Sequence, residues 1–407
     1  MLSSGVFAAG SVDIRAVWWG GDERGRRTNA AIKAFMNANP GISVEAETMG
    51  WDDYWARLAT QVAGGNAPDF IQMDYRYMAE YARRGAIRPL DNYLGNELQI
   101  EDFGAANLES CSVDGKLYGG NVGVNSFGVL LDPTAWENAG VEAPDFGTSY
   151  EDFAAKCADF AAASPDGKFA ATADGSGSES LFEGWLRGKG KALYTADGEL
   201  AYGADDAAEW FAYWAEMRAS GACLRPDIQA LYKNTIETSP LVNGYAATDF
   251  AFSNQFVGFQ KLMETELAIV GEPVVTGGQP SHYLKPSQMF SIAASSDYPA
   301  ETAMLINFLI RDPAGTRILG VERGIPASPE IRDMLMPELD APSRKAVEFI
   351  SKLTPYVGSL PPAPPKGAGE LNAVLIKVSQ EVAFGAKSAK EGGAKLVDEA
   401  MSVLERG

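Results

Sequence analysis

Residues 12–84 repeat one pattern that limits the fold more than any other feature: a short apolar strand, a break, then an amphipathic helix. Val12 to Trp19 alternates and then turns fully apolar (Val12, Ile14, Ala16, Val17, Trp18, Trp19), as a strand entering a buried sheet does. Gly20-Gly21 breaks it. Thr28 to Asn39 then carries Ala31, Ala34, Phe35 and Ala38 at helical spacing, up to Pro40-Gly41. Ile42, Val44 and Ala46 alternate as a second strand. Asp52 or Asp53 caps the next helix, which keeps Tyr54, Leu58 and Val62 on one face and ends at Gly64-Gly65. Asp69 to Asp74 is a third short strand, and Tyr77 to Arg84 a third helix stopped at Gly85. Strands alternating with helices in this way predict an open parallel sheet with helices on both faces.

A chain of 407 residues exceeds what one hydrophobic core usually fills, so two domains are expected. The second half reads differently from the first, being mostly helical from Tyr150 to Leu262. Tyr150, Phe153, Cys157 and Phe160 share one face, and Trp210, Trp214 and Met217 mark the core side of a helix capped by Asp205. Thr172 to Ser180 is a Gly/Ser-rich loop. Leu371 to Phe384 is a last helical stretch, followed by a fraying helical tail. Between the halves, Tyr118 to Asp132 is a long extended run with several glycines. It suits a hinge, where a few residues absorb the backbone change, with an internal strand carrying a bulge as the lesser alternative.

The chemistry that is missing narrows the function. The net charge of −20, from 34 basic and 54 acidic residues, repels a polyanion, so nucleic acid is not an expected partner. His282 is the one histidine, which excludes metal sites built from several imidazoles and leaves a catalytic triad a single possible base. The three cysteines, Cys111, Cys157 and Cys223, are too few and scattered for a metal cluster. Cys157 and Cys223 either pair or remain buried thiols. No phosphate-binding glycine loop, dinucleotide fingerprint or nucleophile elbow occurs. No metal and no cofactor are therefore expected. No apolar run reaches the roughly eighteen residues of a membrane-spanning helix. Met1 to Gly10, uncharged and ending in small residues, reads as the tail of a secretory leader cleaved near Ala8 to Gly10.

Aromatic residues beside polar ones stand at three successive strand ends, where open α/β sheets bind ligands. They are Trp18-Trp19-Gly-Gly-Asp22, Gly50-Trp51-Asp52-Asp53-Tyr54-Trp55 and Asp74-Tyr75-Arg76-Tyr77. A sugar offers C–H faces to aromatic rings and hydroxyl edges to Asp, Asn, Gln and Arg, so this texture suits carbohydrate. Trp19 is expected inside the sheet, with Trp18 or the residues after it facing a cleft. Trp55 fits a helix core, and Asp52 and Asp53 also serve as helix caps. Tyr75 and Arg76 are the pair best placed for a ligand, in a loop fixed to a rigid sheet. Glu183-Gly-Trp185-Leu-Arg187 and Asp249-Phe250-Ala-Phe252-Ser-Asn254 repeat the texture in the second half. Asn125, in the glycine-rich run, and His282, in a polar loop, complete the candidates from the residues themselves.

Read in order, Val17-Trp-Trp-Gly-Gly21, Ala38-Asn-Pro-Gly-Ile-Ser-Val44, Gly50-Trp-Asp-Asp-Tyr-Trp55 and Ala63-Gly-Gly-Asn-Ala-Pro-Asp-Phe70 resemble family 1 extracellular solute-binding proteins of bacterial ABC sugar importers. Leu117-Tyr-Gly-Gly120, Leu130-Leu-Asp-Pro-Thr-Ala-Trp136, Ala139-Gly-Val141 and Arg323-Gly-Ile-Pro326 extend the likeness over nearly the whole chain. The Trp-Trp-Gly start, Gly-Trp-Asp-Asp-Tyr-Trp and Ile71-Gln-Met-Asp-Tyr75 look most like proteins serving plant-cell-wall oligosaccharides, including galacturonides. Ala247-Thr-Asp-Phe-Ala-Phe252 departs from the family's commoner Gly-Pro-Trp.

The resemblance implies a periplasmic-binding-protein-like α/β fold of two lobes, each a central sheet flanked by helices, joined by three crossings. Residues 12–122 with 270–322 would form the first lobe, and 123–269 with 323–407 the second. The hinges would lie near 121–127, 268–272 and 322–327. It implies a monomer in the periplasm or on the outer face of the cytoplasmic membrane, closing on a sugar between its lobes, docking on permease subunits and catalysing nothing. An acidic sugar would need Arg76, Arg187 or Arg323 as a bidentate partner. The rivals are a secreted carbohydrate-active enzyme with a carboxylate pair and a binder of a non-sugar solute.

Overall fold

The computed structural model describes residues 12–20, 22–163, 169–232, 236–362, 364–365 and 367–406, with the side chains of Glu23, Trp51, Asp52 and Arg76 outside the description. The leader remnant expected at Met1–Gly10, and the contacts expected of the Trp51, Asp52 and Arg76 side chains, therefore lie outside it. The chain divides into two compact units: residues 12–125 with 285–339, and 126–284 with 340–406.

Nine strands form the two main sheets: β1 (Val12–Trp19), β2 (Ile42–Met49), β3 (Phe70–Met73), β4 (Gly120–Asn125), β5 (Phe127–Leu131), β6 (Thr248–Phe252), β7 (Ala268–Gly271), β8 (Lys285–Ile292) and β9 (Ile325–Pro326). The first unit holds a six-stranded sheet in the order β9-β4-β8-β3-β1-β2. β1 runs parallel to β2 and β3, as the strand–helix alternation requires. The sheet is nonetheless mixed, because β8 lies antiparallel between β3 and β4. β8 enters from the second unit, with no helical crossover from β4 to force it parallel. Position in the sheet explains burial. Central β1 has Ile14, Ala16, Val17, Trp18 and Trp19 buried, whereas edge strand β2 alternates half-covered and exposed residues.

The second unit is built on a three-stranded antiparallel sheet, β6-β5-β7. Most of its core is helical, with Phe153, Cys157, Phe160, Trp210, Trp214 and Met217 buried on the faces their spacing predicts. The C-terminal tail does not fray. Ser388 begins a capped helix, Ala389–Leu404, that packs on the helix Ala204–Ala219. Gly393 permits this approach, since a Cβ there would lie 2.5 Å from the Ala204 carbonyl oxygen.

The glycines of the extended run serve close packing. A Cβ on Gly120 would meet Ile310 Cδ1 at 2.7 Å, and one on Gly128 would meet the Val270 carbonyl oxygen at 2.5 Å. The chain passes between units at 125/126, 284/285 and 339/340. The first passage falls within the span expected from sequence, and the other two come later. β7 pairs with β5 and so belongs wholly to the second unit, while β9 pairs with β4 and stays in the first. All three cysteines are buried free thiols, so Cys157 and Cys223 do not pair here.

Candidate functional site

A cavity of about 360 Å3 lies within the second unit, lined from five stretches of chain: Phe127 and residues within 173–180, 226–232, 249–255 and 372–384. The first wall is the Gly/Ser-rich loop Asp174–Ser178, held from behind by one face of the helix Ala204–Ala219. Trp210, Trp214 and Arg218 recur every fourth residue on that face. Trp210 Nε1 donates to the Ser176 carbonyl at 2.9 Å, and Arg218 Nη1 pairs with Asp174 Oδ2 at 2.6 Å. Trp214 fills the space behind Gly175, where a Cβ would sit 2.5 Å from its ring. Asp174 Oδ1 also accepts from the Ser176 backbone N–H, and the Ser178 hydroxyl caps the helix Glu179–Gly188.

The second wall is the start of β5 and the end of β6. Phe127 and Phe252 pair edge to face there, with ring centroids 5.0 Å apart. Gln255 fixes the turn by accepting from the Phe252 N–H at 3.1 Å. Asp249 is buried, and its carboxylate accepts from the Ser239 hydroxyl and the Phe250 N–H. Burial raises its pKa to about 6, against those two hydrogen bonds. The third wall is the helix Ala368–Ala383, where Asn372, Ile376 and Gln380, spaced by four, face the cavity ahead of Phe384. Rings beside amides, hydroxyls and carboxylates can grip a ligand that is apolar on its faces and polar at its rim.

Of the residues singled out in the sequence, Asp249, Phe250 and Phe252 line this cavity, while Asn254 is exposed beyond it. Glu183, Arg187 and His282 gather elsewhere in the second unit. Tyr283 donates its hydroxyl to Glu183 Oε2 at 2.9 Å, and Arg187 lies over the Tyr283 ring. Arg187 donates through Nε to the Ser281 carbonyl and through Nη2 to the Ser359 carbonyl. His282 is 2% exposed, with Nδ1 3.8 Å from Glu272 Oε1. Burial lowers the histidine to about 4 and raises Glu272 well above the usual carboxylate range, Glu183 adding to the latter. Trp185 is a core residue stacked on Phe182, with the Lys189 ammonium 4.2 Å from its ring centroid.

In the first unit both tryptophans of β1 are buried, Trp19 as expected and Trp18 against the expectation that it faces a cleft. Trp18 is fully buried, whereas Trp19 keeps 8% exposure and joins an aromatic cluster with Tyr54 and Trp55. Trp55 in turn lies 4.0 Å from the Tyr77 ring. Arg323 does not offer itself to an acidic ligand within this unit. It is 2% exposed, and its guanidinium donates to Gln72, Gln288 and Thr28 at 2.7 Å each. Asp22 is exposed, Asp74 and Tyr75 are half-buried at the start of the helix Tyr75–Arg83, and Asn125 is buried at the end of β4.

Sequence reading missed Asp174, Gln255, Asn372, Gln380 and Phe384. The Gly/Ser-rich loop was the available signal for the first, and the four-residue spacing along the last long helical stretch for the final three.

Comparison with known proteins agrees with this architecture. Residues 30–346 match the model of the bacterial extracellular solute-binding protein family. The chain is 30% identical to an extracellular solute-binding protein family 1 member from Alicyclobacillus acidocaldarius, with a TM-score of 0.89 over 98% of this chain and 100% of that one. A periplasmic solute-binding protein of Pectobacterium atrosepticum is 26% identical, with a TM-score of 0.77 over 97% and 99%. A periplasmic oligogalacturonide-binding protein of Yersinia enterocolitica, 23% identical with a TM-score of 0.82 over 97% and 99%, shares the fold. A binding protein of Brucella abortus is 30% identical over 115 residues, a match spanning 28% of this chain and 27% of that protein. The chain belongs to the bacterial extracellular solute-binding proteins. It has their periplasmic-binding-protein-like fold, with two compact units connected by three chain passages.

Proposed function

We propose that this chain captures a carbohydrate outside the cytoplasm, in oligosaccharide form, and hands it unchanged to the permease subunits of an ABC importer. The observation that carries this reading is the second-unit cavity, where the Phe127–Phe252 pair stands beside Asp249 and Gln255. Aromatic faces suit the C–H faces of a pyranose, and carboxylates and amides suit its hydroxyls. The Yersinia relative's oligogalacturonide ligand supports the same class. In the first unit, Tyr75 remains the residue we assign to sugar contact. A family of solute-binding proteins supports binding without catalysis.

A thermal-shift screen of neutral sugars and uronides, followed by calorimetry, tests the reading. A bound sugar raises the unfolding midpoint by mass action, and Phe252→Ala should lower the affinity about tenfold. A screen in which no sugar shifts the midpoint would sink it. Labelled oligosaccharide recovered intact after long incubation separates a binder from a carbohydrate-cleaving enzyme.

A further inference from the structure

Among the described residues, two buried carboxylates line the second-unit cavity, and a cation stands beside one of them. Asp174 is neutralised by Arg218 from behind its loop. Asp249, on edge strand β6, is 2% exposed, and its carboxylate is held by two neutral donors, the Ser239 hydroxyl and the Phe250 N–H. The charged groups among the described lining residues are Asp174, Glu179 and Asp249, and none is basic. Tyr232 shares this part of the wall, where burial and then the nearby Asp249 charge push its phenol up. Asp249 gives up its proton at about 6, so at neutral pH it is a buried anion. Such an anion is costly without a cationic partner, and a positive group arriving with a ligand lowers that cost. The Phe127 and Phe252 rings line the same cavity, and aromatic faces also attract a cation.

From this contrast between Asp174 and Asp249 we infer that the cavity selects a sugar bearing a positive charge, an amino sugar whose free ammonium group pairs with Asp249. The inference rests on the carbohydrate reading and narrows it to one charge class. Ser239 and Phe250 leave carboxylate lone pairs open, and an ammonium group brings three N–H donors that form charge-assisted hydrogen bonds with them. An N-acetylated sugar on the same ring has no charge to offer, and a uronide brings a second anion toward Asp249. The net charge of −20 acts in the same direction at long range, drawing in cationic ligands over anionic ones.

Calorimetry on the full chain at about pH 7, where an amine is cationic and Asp249 is ionised, tests this. The probes are glucose, glucosamine and N-acetylglucosamine, then cellobiose, chitobiose and diacetylchitobiose, and finally digalacturonic acid. In each of the first two sets the amine-bearing sugar should bind at least about tenfold tighter than its neutral and acetylated counterparts, with digalacturonic acid weakest of all. Asp249→Asn removes the charge and keeps an acceptor, and should cut that preference to about threefold or less. The comparison of amine with acetamide is made on the wild type, so it decides the charge class even where the variant fails to fold. Amino sugars bound no tighter than acetylated ones, digalacturonic acid bound tightest, or a preference intact in Asp249→Asn would each overturn this inference alone. Silence from every sugar would overturn the carbohydrate reading and the inference with it.

Discussion

Arg218 reaches Asp174 with a guanidinium nitrogen 2.6 Å from the carboxylate, and both side chains are nine-tenths or more buried behind the cavity loop. The pair explains why an acidic residue can open a Gly/Ser-rich turn inside a packed unit. Asp174 is also fixed by the Ser176 N–H, and its own N–H donates to the Gln229 side-chain oxygen at 2.9 Å. The shape of the first wall therefore depends on one helix face carrying Trp210, Trp214 and Arg218 in phase.

Removing one partner of such a pair leaves a buried charge uncompensated. Arg218→Met should destabilise the second unit by about 3–5 kcal/mol. Adding Asp174→Asn should recover most of that loss, because the residual group is then neutral. Urea unfolding of the two variants checks it. A single variant within about 0.5 kcal/mol of the wild type would show that the pair contributes little.

Trp18→Ala belongs to stability and not to ligand binding. The indole is fully buried in central strand β1, so truncation leaves a large cavity in the first unit. A loss of about 3–5 kcal/mol is expected, by analogy with other buried aromatic truncations. Chemical unfolding measures it, and a variant of wild-type stability with weakened sugar binding would restore Trp18 to the site.

The case of Trp18 also shows what periodicity can and cannot convey. Alternation in Val12 to Trp19 announced a strand, and β1 is one. It could not say that both tryptophans would be buried, because alternation does not reveal that a central strand is covered on both faces. Arg323 was unreadable for a different reason. Its acceptors Thr28, Gln72 and Gln288 come from three distant stretches, and only the folded sheet brings them to one guanidinium. The cavity follows the same logic. Asp249-Phe250 and Phe252 carried a visible aromatic–acid texture, whereas Asn372 and Gln380 look like ordinary polar positions on an amphipathic helix. Helix faces such as Trp210, Trp214 and Met217 were legible because their burial depends on local spacing alone.

Asp249 and His282 should impose opposite pH dependences on stability. Asp249 keeps its proton up to about 6 in the folded chain, against about 3.9 unfolded. The folded state thus binds more protons between those values, and stability falls as pH rises through that window, by roughly 3 kcal/mol in total. Asp249→Asn retains an acceptor for the Phe250 N–H and does not titrate. Urea midpoints at pH 4, 5, 6 and 7 should show the variant gaining stability relative to the wild type as pH rises, and parallel curves for the two proteins would refute the assignment.

His282 works the other way. Its folded pKa is lowered to about 4, by burial first and by Arg187 after it, with the Glu272 and Phe127 backbone carbonyls opposing. An unfolded histidine titrates near 6.5, so acidification protonates the unfolded chain while the folded chain stays neutral at this position. Stability is fully present above about pH 6.5 and is lost as pH falls toward 4, by roughly 3 kcal/mol. In the wild type this loss offsets the gain from Asp249 over the shared window, so neither slope shows clearly. The variants separate them. Relative to the wild type, Asp249→Asn should lose stability on acidification and His282→Gln should gain it. Glu272, whose pKa burial raises, titrates in the wild type and in Asp249→Asn alike, so the difference between those two curves isolates Asp249. The double variant Asp249→Asn/His282→Gln should lose both contributions and run nearly parallel to the wild type, and a double variant that departs from the wild type as strongly as either single one would place the titrating groups elsewhere.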